Sequence, residues 1–490
     1  MACNRVGNFT VMELSTIKKL ISTDPTKLIT KVKASRPDAD QDVENAKAID
    51  INNHGVMQES VRKKREVQYD TGLVDKDDNP IMRTEYEEVY RIPTAAEKNI
   101  VDWAVQMAAS EPIEINAKPA NDLEQSLIDA MALTFRDNKM QYQYQEGLRL
   151  TCTYTNSARI WYEDDAETGF WEHIGLSGKK KLSVITFSPE TGDTLYPIWD
   201  GLRKMLGLGR GYIVKDDEDK DVNMFDLYFS DYILKYRQES GNWVLDKSFP
   251  IKYGKATFIY DSQLYTEWAA ITPKRERIED CDSDHADQNQ ATGSPILVVS
   301  KFKGLAKRGE TGKVFEVEDG GKMEMLEAAG TPDSLKMERE NLTKGISYET
   351  STPDQSIFDS EGMGANTPGI TIRMRFMPAE VKARKRHQGA WGMSIQREYN
   401  LVKRMLVHLH PSLKKAEGID AKPAFKVFMP TNLKEEYDNI VALVTAGVMS
   451  KDVAIRKLAF TDDPEAEYAK ILEEQKDAAA LVPKTTPVVN

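Results

Sequence analysis

The chain is poor in the features that mark the commonest functional classes. Only three cysteines occur in 490 residues, Cys3, Cys152 and Cys281. Odd in number and far apart, they read as reduced thiols and not as a disulfide framework. No apolar run approaches the roughly twenty residues that cross a bilayer. The opening MACNRVGNFTVMEL has no basic region followed by an apolar stretch, so a soluble protein made in a cytoplasm is expected. Apolar residues make up 40% of the chain, little for a large compact monomer, whereas 29% are charged. That balance favours an extended or modular assembly subunit over a compact enzyme. The net charge of -12 argues against a protein that grips nucleic acid over its whole surface, because phosphate binding needs clustered Lys and Arg. It leaves open a conduit through which DNA slides.

Catalytic signatures are missing too. Gly309-Glu310-Thr311-Gly312-Lys313 lacks the first glycine of an ATPase phosphate loop and has Val314 where a magnesium-binding hydroxyl belongs. Gly207-Leu208-Gly209-Arg210-Gly211 lacks the dinucleotide spacing, and both clusters read as turns. Asp280, Asp282, Asp284 and His285 suggest a calcium loop, but its sixth and twelfth positions hold His285 and Ala291 where Gly and Glu are wanted. A solvated charged helix fits those residues better. His408 and His410 do not share a helix face, and no Ser/His/Asp or Cys/His set assembles. No catalysis, cofactor or metal is expected, and any DNA movement must be powered by a partner.

What is present is a succession of distinct segments. Residues 1–65 are expected to be a mobile N-terminal arm with a short helix over 11–21, ending in Arg62-Lys63-Lys64-Arg65. In Ile92-Pro93-Thr94-Ala95-Ala96-Glu97, Thr94 and Glu97 have capping-box spacing, and Ile100, Val101, Ala104 and Met107 follow as a buried helical face. A second helix is expected over 122–138. From 148 to 260 the period is two, in LRLTCTYTNSARIWYE, LSVITFSP, FDLYFSDYILKYR and NWVLDKSF, with turns at SPETG and ESGN. That reads as an antiparallel β-rich module; 199–213 carries no decisive period.

A charged, helix-compatible segment spans 266–290. PILVVSKF, KVFEVE and MEMLEA follow as three short strands around the loop Gly304 to Gly312, and a helix is expected over 332–346. PDQSIFDSEGM, from Pro353 to Met363, has no period. Gly362, Gly364 and Gly369 loosen the backbone there, and Pro368 suits a first helical turn. Pro378 is expected to kink or break the long helix that runs on to His410. AFKVFMP predicts a strand. Asn432 with Glu435 caps a helix ending at Gly447, Ser450 caps the next, and Asp463-Pro464-Glu465 opens a third. Lys451, Arg456 and Lys457 on the second of these fit a small helical cluster better than a DNA-reading motif. The tail after Gln475 is expected to be disordered.

The string RIPTAAEKNIVD looks like the start of the wing region of portal proteins, and GVMSKDVAIRK with DDPEAEY resembles their crown. Helix, small β-module, helix, Gly-rich loop, long helix is also their order of parts. Over about residues 85 to 475 the chain thus resembles the portal (head-to-tail connector) proteins of tailed bacteriophages. It departs from them at Gly254-Lys255-Ala256-Thr257, where portals often carry Ile-Pro, and in the high charge of the first stem helix.

The resemblance implies a mixed α+β portal fold with wing, helical stem, small β-rich clip, long kinked backbone helix and helical crown, assembled as a ring. It divides the chain into an arm (1–65), wing (66–265), first stem helix (266–294), clip (295–331), second stem helix (332–352), tunnel loop (353–367), long helix with a wing strand (368–430), crown (431–475) and tail (476–490). It implies a dodecameric ring at one capsid vertex of the virion, assembled in the host cytoplasm. The ring would pass double-stranded DNA without sequence specificity. Its partners would be the terminase large subunit, then a head-tail adaptor, with the major capsid and scaffolding proteins around it and no membrane. Gln355, Phe358, Met363 and Asn366 of the tunnel loop would face DNA, beside acidic Asp354, Asp359 and Glu361. Arg373, Arg375, Lys382, Arg384, Lys385 and Arg386 would contact DNA or an adjacent subunit. Lys301, Lys303, Lys307, Arg308 and Lys313 would form the docking surface of the clip. The alternatives are another minor head protein or, less favoured, a nucleic-acid enzyme of the packaging machinery.

Overall fold

A computed structural model describes residues 11–76, 80–292, 296–299, 323–326, 333–353, 369–428, 433–458 and 463–480. The chain divides into two compact units, one from Met1–Asp354 with Ala379–Phe428, the other from Gln355–Pro378 with Met429–Asn490.

In the first unit the chain opens with α1 (Leu14–Thr23), α2 (Pro25–Ala34) and α3 (Gln41–Ala46). These do not form the expected arm. Ile17, Leu28, Ile29 and Val32 are fully buried in one cluster with Phe225, Leu227, Tyr236 and Trp243. Their amphipathic faces cover one side of a five-stranded antiparallel sheet, which would otherwise expose its aromatics to water. The sheet runs in the order β10-β9-β8-β7-β6, from β6 (Thr194–Trp199), β7 (Met205–Lys215), β8 (Asp221–Phe229), β9 (Tyr232–Glu239) and β10 (Asn242–Pro250).

The undecided stretch 199–213 is the β6–β7 hairpin. Asp200 accepts from the amides of Leu202 and Lys204 in its turn, and Arg203 takes φ 59°. The glycines at 207–211 therefore lie in a strand and not, as expected, in a turn. A Cβ on Gly207 would meet the Phe229 ring at 2.7 Å, and one on Gly209 would meet Phe225 at 2.9 Å. The missing side chains let the rings of β8 lie across β7.

After the two-stranded ribbon β1 (Arg65–Val74) and β2 (Pro80–Glu87) come α4 (Ala96–Ala109), β3 (Glu114–Asn116), α5 (Asp122–Asp137) and α6 (Met140–Tyr154). Residues 148–154, expected as strand, are the end of α6. Tyr144, Leu148, Leu150, Thr151, Cys152 and Thr153 are all buried there. From Gly147 to Tyr154 all but Arg149 and Tyr154 turn inward regardless of helical spacing, so the period is hidden there. Thr155, at φ 68°, ends it in the left-handed region.

A three-stranded antiparallel sheet, β11-β4-β5, follows from β4 (Asn156–Asp165), β5 (Lys180–Phe187) and β11 (Phe258–Ser262). Next come α7 (Thr272–Thr292), β12 (Ile296–Val299), β13 (Met323–Leu326) and α8 (Asp333–Thr350), with β12 and β13 paired antiparallel. KVFEVE and the loop 304–312 lie outside the described residues, as does Pro368.

The long helix is α9 (Gly369–Gln388) followed by α10 (Ala390–Leu409). It is not broken at Pro378, which lies inside α9; the break is at Gly389, whose φ -95° and ψ -154° are extended. Glycine is required just beyond, since a Cβ on Gly392 would lie 1.7 Å from the His387 carbonyl oxygen. The strand expected in AFKVFMP reduces to β14 (Lys422–Ala424), paired with β3. Phe425 leaves the ladder and stacks on His387, with centroids 4.7 Å apart.

The second unit holds α11 (Leu433–Thr445), α12 (Lys451–Leu458) and α13 (Pro464–Ala480). Gly447 takes φ 71° after α11, and the Val453 amide donates to Ser450 Oγ at 3.4 Å. Asn432 lies outside the described residues. The Ala466 amide donates to Asp463 Oδ1 at the start of α13, which runs past Gln475 to Ala480. The last helix is thus longer than expected.

Candidate functional site

α7 and α8 form a helical pair, and α7 carries a buried polar row on the side away from α8. Along α7, Arg275, Glu279, Ser283 and Asp287 recur every fourth residue and are all buried. An extended segment lies on that row. The amides of Thr94, Ile92 and Tyr90 donate to Glu279 Oε1 at 2.8 Å, Ser283 Oγ at 3.0 Å and Asp287 Oδ1 at 2.8 Å. The match is geometric: two extended residues advance about 6.6 Å and four helical residues about 6 Å. Each alternate amide therefore meets the next side chain of the row. Arg62 locks the far end, donating from Nε to the Tyr90 carbonyl, from Nη1 to Asp284 at 2.8 Å and from Nη2 to Asp287 at 2.5 Å.

The near end of the row is a buried cluster of two cations and two carboxylates. Arg275 donates from Nε to Glu97 at 2.9 Å and from Nη1 to Glu279 at 2.7 Å. His54 lies between Glu279 Oε1, 2.5 Å from Nδ1, and the Ala48 carbonyl oxygen, 2.8 Å from Nε2. With acceptors at both ring nitrogens, the imidazolium form satisfies both contacts. Burial disfavours that charge, but the bonds to Glu279 and Ala48 outweigh it and hold the His54 pKa above its ordinary value. Burial raises the Glu97 carboxyl, while the bonds from His54 and Thr94 overcome the burial of Glu279 and lower it. The expected capping box is consequently absent: Glu97 turns inward to Arg275 and makes no cap bond at the start of α4.

The opposite side of α7 meets α8. Ile278 and Cys281 of α7 and Ile346 of α8 are buried. Ion pairs flank them: Arg277 with Glu338 at 2.8 Å, Arg339 with Asp282 at 2.6 Å, and Lys274 with Glu349. The pairing is antiparallel. It leads from the body to the β12–β13 pair and back.

The family model described as "Phage portal protein, SPP1 Gp6-like" matches residues 53–480. The chain belongs to this phage portal protein family. Among solved structures, a chain from the neck of an empty GTA particle, computed with C6 symmetry, is similar at 10% identity and a TM-score of 0.41. That match covers 75% of the present chain and 90% of the other. None of the curated proteins matches.

The portal chain places its predicted site residues unevenly. Lys382 and Arg386 are partly buried and are engaged within their own chain. Both bind Glu267, Arg386 at 2.5 Å, and Lys382 also donates to the Thr350 carbonyl at the end of α8. Arg386 further donates to the Ala104 carbonyl, and His387 Nε2 lies 2.7 Å from the Ala108 carbonyl in the last turn of α4. The Ala108 and Thr350 carbonyls are among those that a helix end leaves open. Arg384 pairs within its helix with Glu380 at 2.6 Å, and Lys385 is exposed. Arg373 and Arg375 are exposed and belong to the second unit. Gln355, Phe358, Met363 and Asn366, and Lys301, Lys303, Lys307, Arg308 and Lys313, lie outside the described residues.

Of the acidic residues that suggested a calcium loop, Asp282 pairs with Arg339 and Asp284 with Arg62, on different sides of α7. No cluster suited to a metal occurs among the described residues, and no described helix is long and apolar enough to cross a membrane. In the portal crown segment Arg456 pairs with Asp452 at 3.1 Å. Sequence reasoning missed the polar row on α7, although its signal was present: polar residues at strict i, i+4 spacing in a helix with no apolar stripe.

Proposed function

We propose that this portal-family chain assembles as a dodecameric ring at one capsid vertex, and that double-stranded DNA passes through its channel during packaging and ejection. In this reading residues 266–294 and 332–352 are the stem, 295–331 the clip and 353–367 the tunnel loop. The clip, with Lys301, Lys303, Lys307, Arg308 and Lys313, receives the terminase motor and later the head-tail adaptor. The tunnel loop, through Gln355, Phe358, Met363 and Asn366, touches DNA weakly enough to let it slide, because it has no Lys or Arg between Asp354 and Asn366. In this reading Arg373, Arg375 and Lys385 lie where DNA or an adjacent subunit makes contact.

The observation that supports the reading most is the α7–α8 pair within a family match spanning 53–480. It is a charged helical hairpin with a small β-pair at its end, which suits a stem that meets water and neighbouring subunits and not a hydrophobic core.

Imaging of the purified chain, with its mass in solution, tests the ring: closed rings with a hole of duplex width are expected. A stable small oligomer without a channel overturns the reading. Deleting Phe358 to Gly364 is expected to leave rings intact and abolish DNA packaging or retention; wild-type packaging by the deletion would remove the loop from the mechanism.

A further inference from the structure

The side of α8 that faces away from α7 has no partner within the described residues of its own unit, yet it is not built for water. Met337, Asn341, Lys344 and Tyr348 follow one another at steps of four, three and four, which places them on one face. Met337 is 62% exposed and Tyr348 87%. Lys344 has only a long 3.8 Å contact with Glu340. On α7, the face turned away from both α8 and the polar row carries Pro273, Glu276, Asp280 and Asp284, of which only Asp284 has a short ion pair. One helix thus offers Met337 and Tyr348 on either side of Asn341 and Lys344, and the other a run of carboxylates.

We propose that these two faces meet between copies of the chain, α7 of one subunit against α8 of the next, with Lys344 seated between Glu276 and Asp280 of its neighbour. The inference rests on the ring reading above and identifies the surfaces that close it. Rotation about a ring axis running along the hairpin changes no residue's height on that axis. Contacts between subunits must therefore keep the antiparallel register seen within one, where Asp282 lies level with Arg339. Both helices rise by the same increment per residue. On the neighbouring α8, position 341 is then level with Asp280, 345 with Glu276 and 348 with Pro273. Lys344 falls between the two carboxylates, and the Tyr348 ring meets the Pro273 ring. Met337 is level with Asp284, beside Lys336, which supplies a second cation there. The contact is head-to-tail, as a closed ring requires, and its opposite charges specify the order of faces.

The test uses the full chain, with ring formation followed by imaging and by mass as a function of concentration and salt. Lys344→Glu is expected to raise the concentration needed for half-assembly roughly tenfold, since an interfacial attraction becomes a repulsion repeated at every contact. Glu276→Lys with Asp280→Lys should do the same. Combining all three reversals should restore rings at close to the wild-type concentration. All these positions are exposed, and circular dichroism of each variant checks that the protomer is folded. Wild-type rings that tolerate both sets of reversals, or rings that the combined variant fails to restore, overturn this interface and leave the ring reading standing. A wild-type chain that forms no ring overturns the ring reading itself, and the interface with it.

Discussion

Arg159 Nε on β4 donates to both carboxylate oxygens of Glu398 on α10, at 3.2 and 3.1 Å, and neither side chain reaches solvent. Arg159 Nη1 also donates to Asp261 at 2.8 Å, and Trp161 Nε1 donates to Glu398 at 2.8 Å. Four side chains from β4, β11 and α10 thereby join the three-stranded sheet to the long helix. Without Glu398, Arg159 keeps Asp261 but its Nε and the Trp161 Nε1 are left as buried donors with no acceptor, so Glu398→Ala should destabilise the chain by about 2–5 kcal/mol. Glu398→Gln, which keeps an acceptor for Trp161, should cost less. Denaturant unfolding followed by tryptophan fluorescence measures both, and equal losses would show that the Trp161 bond contributes nothing.

Gly147 on α6 is tied to the same arginine. A Cβ there would lie 2.7 Å from Arg159 Nη1, which two carboxylates hold in place. In a free helix Gly→Ala stabilises by about 1 kcal/mol. Here Gly147→Ala should destabilise by about 1–3 kcal/mol, because the clash cannot be relieved cheaply. The unfolding midpoint decides the sign.

His54 makes stability fall as pH rises. Its pKa is raised in the folded chain, so the protonated ring's contribution is complete below the ordinary value of 6.5 and is lost as pH climbs through the higher folded value. His387 and His410 are lowered, first by burial, and act in the opposite sense: their neutral forms favour folding above the ordinary value, and that contribution is lost as pH falls through their folded values. Comparing wild type with His54→Gln isolates the first effect. The variant's deficit in thermal midpoint should be larger at pH 6 than at pH 9. A deficit independent of pH would show that the ring is neutral in the fold.

The polar row on α7 should be visible in amide exchange. Ile92 is expected to exchange slowly, since its amide is held by Ser283 Oγ. Ser283→Ala should speed Ile92 exchange by at least tenfold and cost about 1–3 kcal/mol, the penalty of an unpaired amide. Unchanged exchange at Ile92 would mean that the segment is held by its neighbours alone.

Periodicity located the elements that have one polar and one apolar side. α5, the buried face of α4 and the strands β5, β8, β9 and β10 fall where alternation or helical spacing put them. The reading failed where surroundings are uniform. The buried end of α6 has the alternation of a strand, and α1 and α2 have the pattern of free helices because only the sheet they cover distinguishes the two. Gly207 and Gly209 suggested a turn, since only the Phe229 and Phe225 rings across the ladder reveal why a strand needs them.

The sequence by itself determined the kind of protein this is: an acidic, charge-rich, cysteine-poor chain whose ordered blocks match the portal family over 53–480. Local composition and short spacing carry that information directly. Only the tertiary structure decided which charges are free. Lys382 and Arg386 looked available for DNA and are bound to Glu267, while Glu97 looked like a cap and serves Arg275. An ion pair between residues more than a hundred positions apart depends on where the backbone brings them, and no local pattern encodes that distance.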